Sequence, residues 1–169
     1  GAFNISRLQI QNMIDTRKSR KRKKNSIYES FEEIKQYYEK MKKKGEAIDT
    51  NCLNDFEKFI MIFTRKAFVE DYGKNGKTIN FLDSVHKIFH NKYPLWVMGH
   101  LSEKYRSIPT FVIVSSNHTS DMLLKALHSI KKYLESNNFT ITQQFMIDKD
   151  PVEIKAIEDL ISSILYCKV

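Results

Sequence analysis

Thr78-Ile-Asn-Phe-Leu-Asp83 and Phe145-Met-Ile-Asp148 are two apolar segments that each run out at an aspartate. Both have the length and composition of buried strands. A carboxylate at the end of such a strand adds nothing to packing, whereas two of them on neighbouring strands make a seat for divalent cations. The chain between them makes that adjacency attainable. Pro94 to Leu101 and Ile108 to Ser115 read as two further strands, and the short polar link Ser102 to Ser107 predicts a hairpin. Thr119-Ser120 then opens a helix to about Glu135, with Met122, Leu123, Ala126, Leu127, Ile130, Tyr133 and Leu134 on its buried stripe, and Asn137-Asn138 ends it. This crossover returns the chain so that a strand over Thr140 to Ile147 lies parallel to the one ending at Asp83. The two aspartates then meet at one sheet edge.

Two carboxylates ~4 Å apart repel by ~4 kcal/mol at an effective dielectric near 20, so such a pair requires cations beside it. Mg2+ or Mn2+ fits an all-oxygen site better than zinc, because neither cysteine nor a histidine pair is suitably arranged. Strand-end aspartates also begin turns, and periodicity alone leaves both readings open. Asp150-Pro-Val-Glu153 shows the structural use: Asp150 as N-cap, Pro151 at the first helical position and Glu153 closing a capping box, with the helix running to about Ile161. Asp121, in the first turn of its helix, is read the same way, and Asp148 is assigned to chemistry.

Towards the N-terminus, Ser26 caps a predicted helix in which Ile27, Phe31, Ile34, Tyr38 and Met41 recur at helical spacing before Lys42-Lys-Lys-Gly45. A second helix is predicted from about Asn54 to Tyr72, with Phe56, Phe59, Ile60, Phe63, Ala67 and Phe68 on one face. At Gly73-Lys-Asn-Gly76 the texture becomes extended. A last strand is predicted over Ser163 to Cys167. The chain thus divides into a basic N-terminal arm and helix (1–44), a helical lead-in (45–77) and a core (78–169). Three strands, helix, strand, helix, strand is an α/β order that a mixed sheet covered by helices accommodates.

Charge is distributed unevenly. Arg17 to Lys44 holds 12 Lys or Arg against 4 Asp or Glu, while Gly45 to Val169 holds 15 of each. All of the net +8 therefore lies in one stretch. Its centre is a basic run of Arg17, Lys18, Arg20, Lys21, Arg22, Lys23 and Lys24 that no apolar residue interrupts. Such a run binds phosphates, each neutralised phosphate steepening the salt dependence by roughly 0.9 log units per log of salt, or directs the chain to the nucleus; a solvated linker is the plain alternative. No segment approaches the ~18 apolar residues of a membrane span, and no secretory leader is evident. Two cysteines, Cys52 and Cys167, exclude a disulfide framework and fit a reducing compartment. Gly1-Ala2-Phe3 reads as an internal start or a tag scar. His86 and His90 are four apart, but Lys87-Ile-Phe between them reads as loop, so no zinc is assigned; His100 and His118 read as surface or hydrogen-bonded side chains. Trp96 is core by default. Neither a Gly-rich phosphate loop nor a nucleophile elbow occurs.

Three blocks resemble the transposase domain of Mutator-like elements (MULE), from about Phe63 to Val169. Ile79-Asn-Phe-Leu-Asp83-Ser-Val-His86 followed by Tyr93-Pro-Leu95 looks like the family's first strand and catalytic aspartate. Ile108-Pro109 with Phe111-Val-Ile-Val-Ser115 is similar to its third strand. Phe145-Met-Ile-Asp148-Lys-Asp150, Ala156-Ile157 and Leu165-Tyr-Cys167-Lys168 look like its second catalytic aspartate, the following helix and a cysteine-containing strand. The resemblance implies a DDE transposase with an RNase H-like fold. That is a mixed five-stranded sheet of three antiparallel strands followed by αβαβ, here with N-terminal helices and ending before the C-terminal helix. It implies Asp83 and Asp148 as catalytic metal ligands for two Mg2+ or Mn2+ ions, DNA as partner, no membrane, homo-oligomerisation in the intact enzyme, and the nucleus as location. Val85 stands where the family has threonine, Ile88 and Phe89 replace Thr-Asn, and the family's third acid lies on a helix beyond Val169; Glu153, Glu158 and Asp159 are on a different helix. A transposase catalytic fragment is the first expectation. A domesticated, non-catalytic nuclear DNA-binding or regulatory descendant is the alternative, and a metal-dependent nuclease of the same fold a third.

Overall fold

Helix α1 (Phe31–Lys43) forms where Ile34, Tyr38 and Met41 recur at three- and four-residue spacing, and all three are buried. Glu32 and Glu33 begin it and Lys40, Lys42 and Lys43 close it, complementing the helix dipole at both ends. It stops at Gly45, whose φ of 71° is disfavoured for any residue with a Cβ. There the Glu46 N–H donates to the Met41 carbonyl and the Gly45 N–H to the Lys42 carbonyl, both at 2.9 Å, a Schellman ending. The computed structural model describes residues 31–50, 52–53, 58–75, 79–85, 93–102, 104 and 106–166. The basic run 17–24, the Ser26 cap, and His86, Ile88, Phe89 and His90 lie outside the described residues.

After α1 come β1 (Ala47–Ile48), β2 (Ile60–Phe63), α2 (Lys66–Asn75), β3 (Asn80–Val85), β4 (Leu95–Leu101), β5 (Ser107–Ser115), α3 (Ser120–Ser136), β6 (Phe145–Ile147) and α4 (Pro151–Tyr166). The strands form one sheet in the order β1-β2-β5-β4-β3-β6. Every neighbouring pair is antiparallel except β3 and β6, which are parallel. The protein is therefore an α/β fold with a mixed six-stranded sheet.

Several sequence expectations hold. The β4–β5 hairpin forms, with Leu95 opposite Val114 and Leu101 opposite Ser107. Thr119 caps α3, its side-chain oxygen accepting the Met122 N–H at 3.3 Å, and the helix ends at Asn137, with Asn138 at φ 62°.

Others are corrected. The helix expected from Asn54 to Tyr72 is, among its described residues, first a strand and only from Lys66 a helix. Phe59 to Phe63 is apolar at every position, and all of β2 is buried. Ile60 and Ile62 join one core while Phe59, Met61 and Phe63 join the other, a division that only a strand buried on both faces permits. The last strand does not form over Ser163 to Tyr166. Helix α4 continues instead, because Ile157, Leu160, Ile161 and Ile164 keep the helical period and pack on the core. The sheet thus has six strands rather than five, gaining β1 and β2 at one edge and lacking the final strand among the described residues. The strand expected over Thr140 to Ile147 is confined to Phe145–Ile147, and β3 extends to Val85, so Asp83 lies inside a strand rather than at its end.

The alternation of each strand sorts two cores onto opposite faces of the sheet. Leu82, Trp96, Met98, Phe111 and Ile113 meet α2, α3 and α4 on one face. Phe81, Leu95, Val97, Val112 and Val114 lie on the other, where α1 contributes Ile34, Tyr38 and Met41. The β4–β5 pairing shifts register at Met98/Gly99. A bulge there bends the hairpin. Among the described residues no helix is long and apolar enough to cross a membrane.

Candidate functional site

Leu82 of β3 stands opposite Ile147 of β6 in a parallel ladder. The ladder ends with that pair: Asp83 continues β3, and Asp148 is the first residue after β6. Neighbouring strands run about 4.8 Å apart, so two carboxylates distant in sequence rise from adjacent backbones. Leu82 and Ile147 pack toward the α3/α4 side. Strand alternation therefore turns Asp83 to the opposite face, with Phe81 and its cross-strand neighbour Val97. On β6 the residue of that parity is Met146, which is 49% exposed. Asp83 and Asp148 are both exposed as well.

The segment following Asp148 is fixed from two directions. One carboxylate oxygen of Asp150 accepts the Val152 N–H at 2.8 Å, which makes it the N-cap of α4 as its sequence context predicts. The other carboxylate oxygen lies 3.2 Å from Nε2 of His118, in the turn between β5 and α3. The approach has ion-pair distance without the alignment of a hydrogen bond. The His118 ring in turn stacks on Trp96 of β4, with centroids 5.1 Å apart and planes inclined by 13°.

Glu153 differs from its sequence reading. It closes no capping box: the residue is fully buried and neither carboxylate oxygen makes a hydrogen bond of ordinary geometry. Burial, then the charge of Asp150, with smaller contributions from Asp83 and Asp148, pushes its carboxyl up to about 7, against the opposing pull of the Ser84 hydroxyl. Ser84 is the neighbour of Asp83 on β3 and, opposite Trp96, faces the helix side of the sheet. Glu153 is thus an acid held behind the strand whose front carries Asp83. One signal could have revealed it. Glu153, Ala156, Ile157 and Leu160 follow helical spacing, and the last three are the buried stripe of α4; a glutamate at the head of that stripe is directed inward.

His100 belongs to the core. It is fully buried, edge-on to Tyr72 at 5.6 Å, with Nε2 3.2 Å from Asp71, and burial lowers its pKa despite that carboxylate. Asp121 pairs with Lys125 at 2.8 Å on the surface of α3, a structural use.

The residues suit a hard divalent cation on one count and restrict it on another. Asp83 and Asp148 offer oxygen ligands only, the preference of Mg2+ and Mn2+. Among the described residues no group of three or more His, Cys, Asp or Glu side chains is placed to hold a metal ion. Mg2+ is commonly held by one or two carboxylates, with water and substrate phosphate filling the remaining positions, and a pair is what β3 and β6 supply. Comparison of the chain with models of protein families, with curated proteins and with solved structures gives no match.

Proposed function

We propose that this chain carries the first two acids of a DDE-type DNA transposase and serves phosphodiester cleavage and strand transfer in the intact protein. The observation that carries the reading is that Asp83 and Asp148 each directly follow the last parallel pair of β3 and β6, Leu82 and Ile147. The fold supports it in outline: three successive antiparallel strands, a helix, and a fourth strand returning parallel to the first are the order of an RNase H-like core. β1 and β2 are additions at the far edge. The basic run from Arg17 to Lys24 supplies phosphate affinity from outside the described residues, consistent with a nuclear, DNA-binding protein.

Asp83 and Asp148 would hold Mg2+ or Mn2+, which when bound supplies Lewis acidity to a phosphodiester and lowers the pKa of an attacking hydroxyl or water. The chain's own part is to present two exposed carboxylates at the β3–β6 margin of the sheet, where a phosphate backbone would have access. β3, paired on both sides, anchors Asp83. The α4 cap at Asp150 fixes where the chain turns after Asp148.

Mn2+ titration of the full chain tests this. Asp83→Asn and Asp148→Asn should each weaken binding at least about tenfold, ~1.4 kcal/mol, with thermal unfolding retained as a single transition. Equal affinity in parent and both variants would remove the metal site and leave the non-catalytic nuclear DNA-binding descendant as the reading.

A further inference from the structure

We infer that His118 is a positioning residue for Asp148, acting through Asp150. The inference rests on the metal-site reading above and adds a residue that lies 30 positions away in sequence and on the opposite side of α3.

Asp150 is two residues beyond Asp148 and is engaged at both oxygens, one by the Val152 N–H and the other by Nε2 of His118. The imidazole cannot swing freely, because its face lies flat on Trp96, a fully buried ring of the central strand β4. The linkage therefore runs from the rigid centre of the sheet, through two stacked rings, to the carboxylate that begins α4. β6 is only three residues long and bonds to the sheet through β3. With so short a ladder, Asp148 needs a second anchor, and the His118–Asp150 contact is placed to be one. Capping alone does not require it: an N-cap needs a single accepting oxygen, and Asp150 already spends its other oxygen on Val152. Outer partners that orient a ligand commonly contribute 10–100-fold to metal affinity. At one remove, through the backbone of residues 148–150, the lower end of that range is expected.

Asp150→Asn separates positioning from capping, since asparagine caps a helix as well as aspartate does but carries no charge for His118. At pH 5, where Glu153 keeps its proton, the variant's unfolding midpoint should stay within about 2 °C of the parent, a shift of less than ~1 kcal/mol, while Mn2+ affinity at neutral pH falls roughly five- to tenfold. His118→Ala should show a similar loss of affinity, and the double variant no more than either single change, as for two members of one contact. Parent-like Mn2+ affinity in both Asp150→Asn and His118→Ala, alongside loss in Asp83→Asn and Asp148→Asn, would overturn the positioning role and leave the metal site standing. Additive losses in the double variant would overturn it as well. Absence of Mn2+ binding by the parent chain would remove both.

Discussion

Glu153→Gln should raise the midpoint of thermal unfolding at pH 8 by roughly 4–8 °C, about 2 kcal/mol for a chain of this size, and change it little at pH 5. The Glu153 carboxyl moves from an ordinary 4.5 to about 7 on folding, chiefly by burial and then by the charge of Asp150. A folded pKa above the unfolded one means that between these values the native state retains a proton that the unfolded chain has released. Stability contributed by this group is complete below pH 4.5, declines as pH rises, and is lost above about 7. Full ionisation in place costs about 3 kcal/mol. Glutamine has the shape without the charge, and its buried amide, short of acceptors, returns about 1 kcal/mol of that gain. Asp83→Asn and Asp148→Asn should each lower the Glu153 pKa slightly and so lessen the loss of stability between pH 5 and pH 8, because each removes a charge that opposes ionisation of Glu153. Unfolding midpoints of parent and Glu153→Gln that run parallel from pH 5 to pH 8 would show that the carboxyl is not strained by burial.

Gly99→Ala should destabilise the chain by roughly 3 kcal/mol or more, lowering the midpoint by about 6–12 °C. A Cβ at Gly99 would lie 2.0 Å from the Ile108 carbonyl oxygen and 2.8 Å from the Phe81 ring. The first of these is backbone in the partner strand of the hairpin, so relief requires parting β4 from β5 beside the bulge. Gly73→Ala is the informative contrast. The atoms nearest its Cβ would be those of the Phe139 ring, at 2.2 Å, and that side chain is partly exposed and can rotate away, while alanine favours helix α2. Gly99→Ala should therefore cost clearly more than Gly73→Ala; equal losses would mean that the hairpin tolerates displacement at the bulge.

What was legible in the sequence depended on whether a segment shows one face or two to its surroundings. α3 has a solvent side, so Met122, Leu123, Ala126, Leu127, Ile130 and Leu134 stand out at helical spacing and its limits follow from Thr119 and Asn137. β2 has no solvent side. With Phe59 to Phe63 apolar throughout, Phe56, Phe59, Ile60 and Phe63 satisfy a helical period as well as a strand does, and burial between two cores decided the outcome. The end of α4 was misread because Ser163 to Cys167 is short and apolar, a pattern equally suited to the last turn of a helix. Asp83 and Asp148 stand out in the sequence because each closes an apolar run, yet β3 continues through Ser84 to Val85, so only Asp148 lies where its strand runs out. Glu153 was obscured by Asp150-Pro-Val-Glu153, whose local capping pattern is genuine at Asp150 but not at Glu153.

The two aspartates are mounted on supports of unequal stiffness. Asp83 is carried by a six-residue strand with neighbours on both sides, Asp148 by the end of a three-residue strand at the margin of the sheet. Fluctuation of the gap between them is accordingly governed by β6. Amide exchange at Met146 and Ile147 should be faster than at Phe81 and Leu82, and a cation that draws the carboxylates together should slow it first at that margin. In the proposed metal site, compliance on the β6 side would let the pair adjust to an ion and a phosphate of varying position, while the stiff β3 side would keep the sheet itself unmoved.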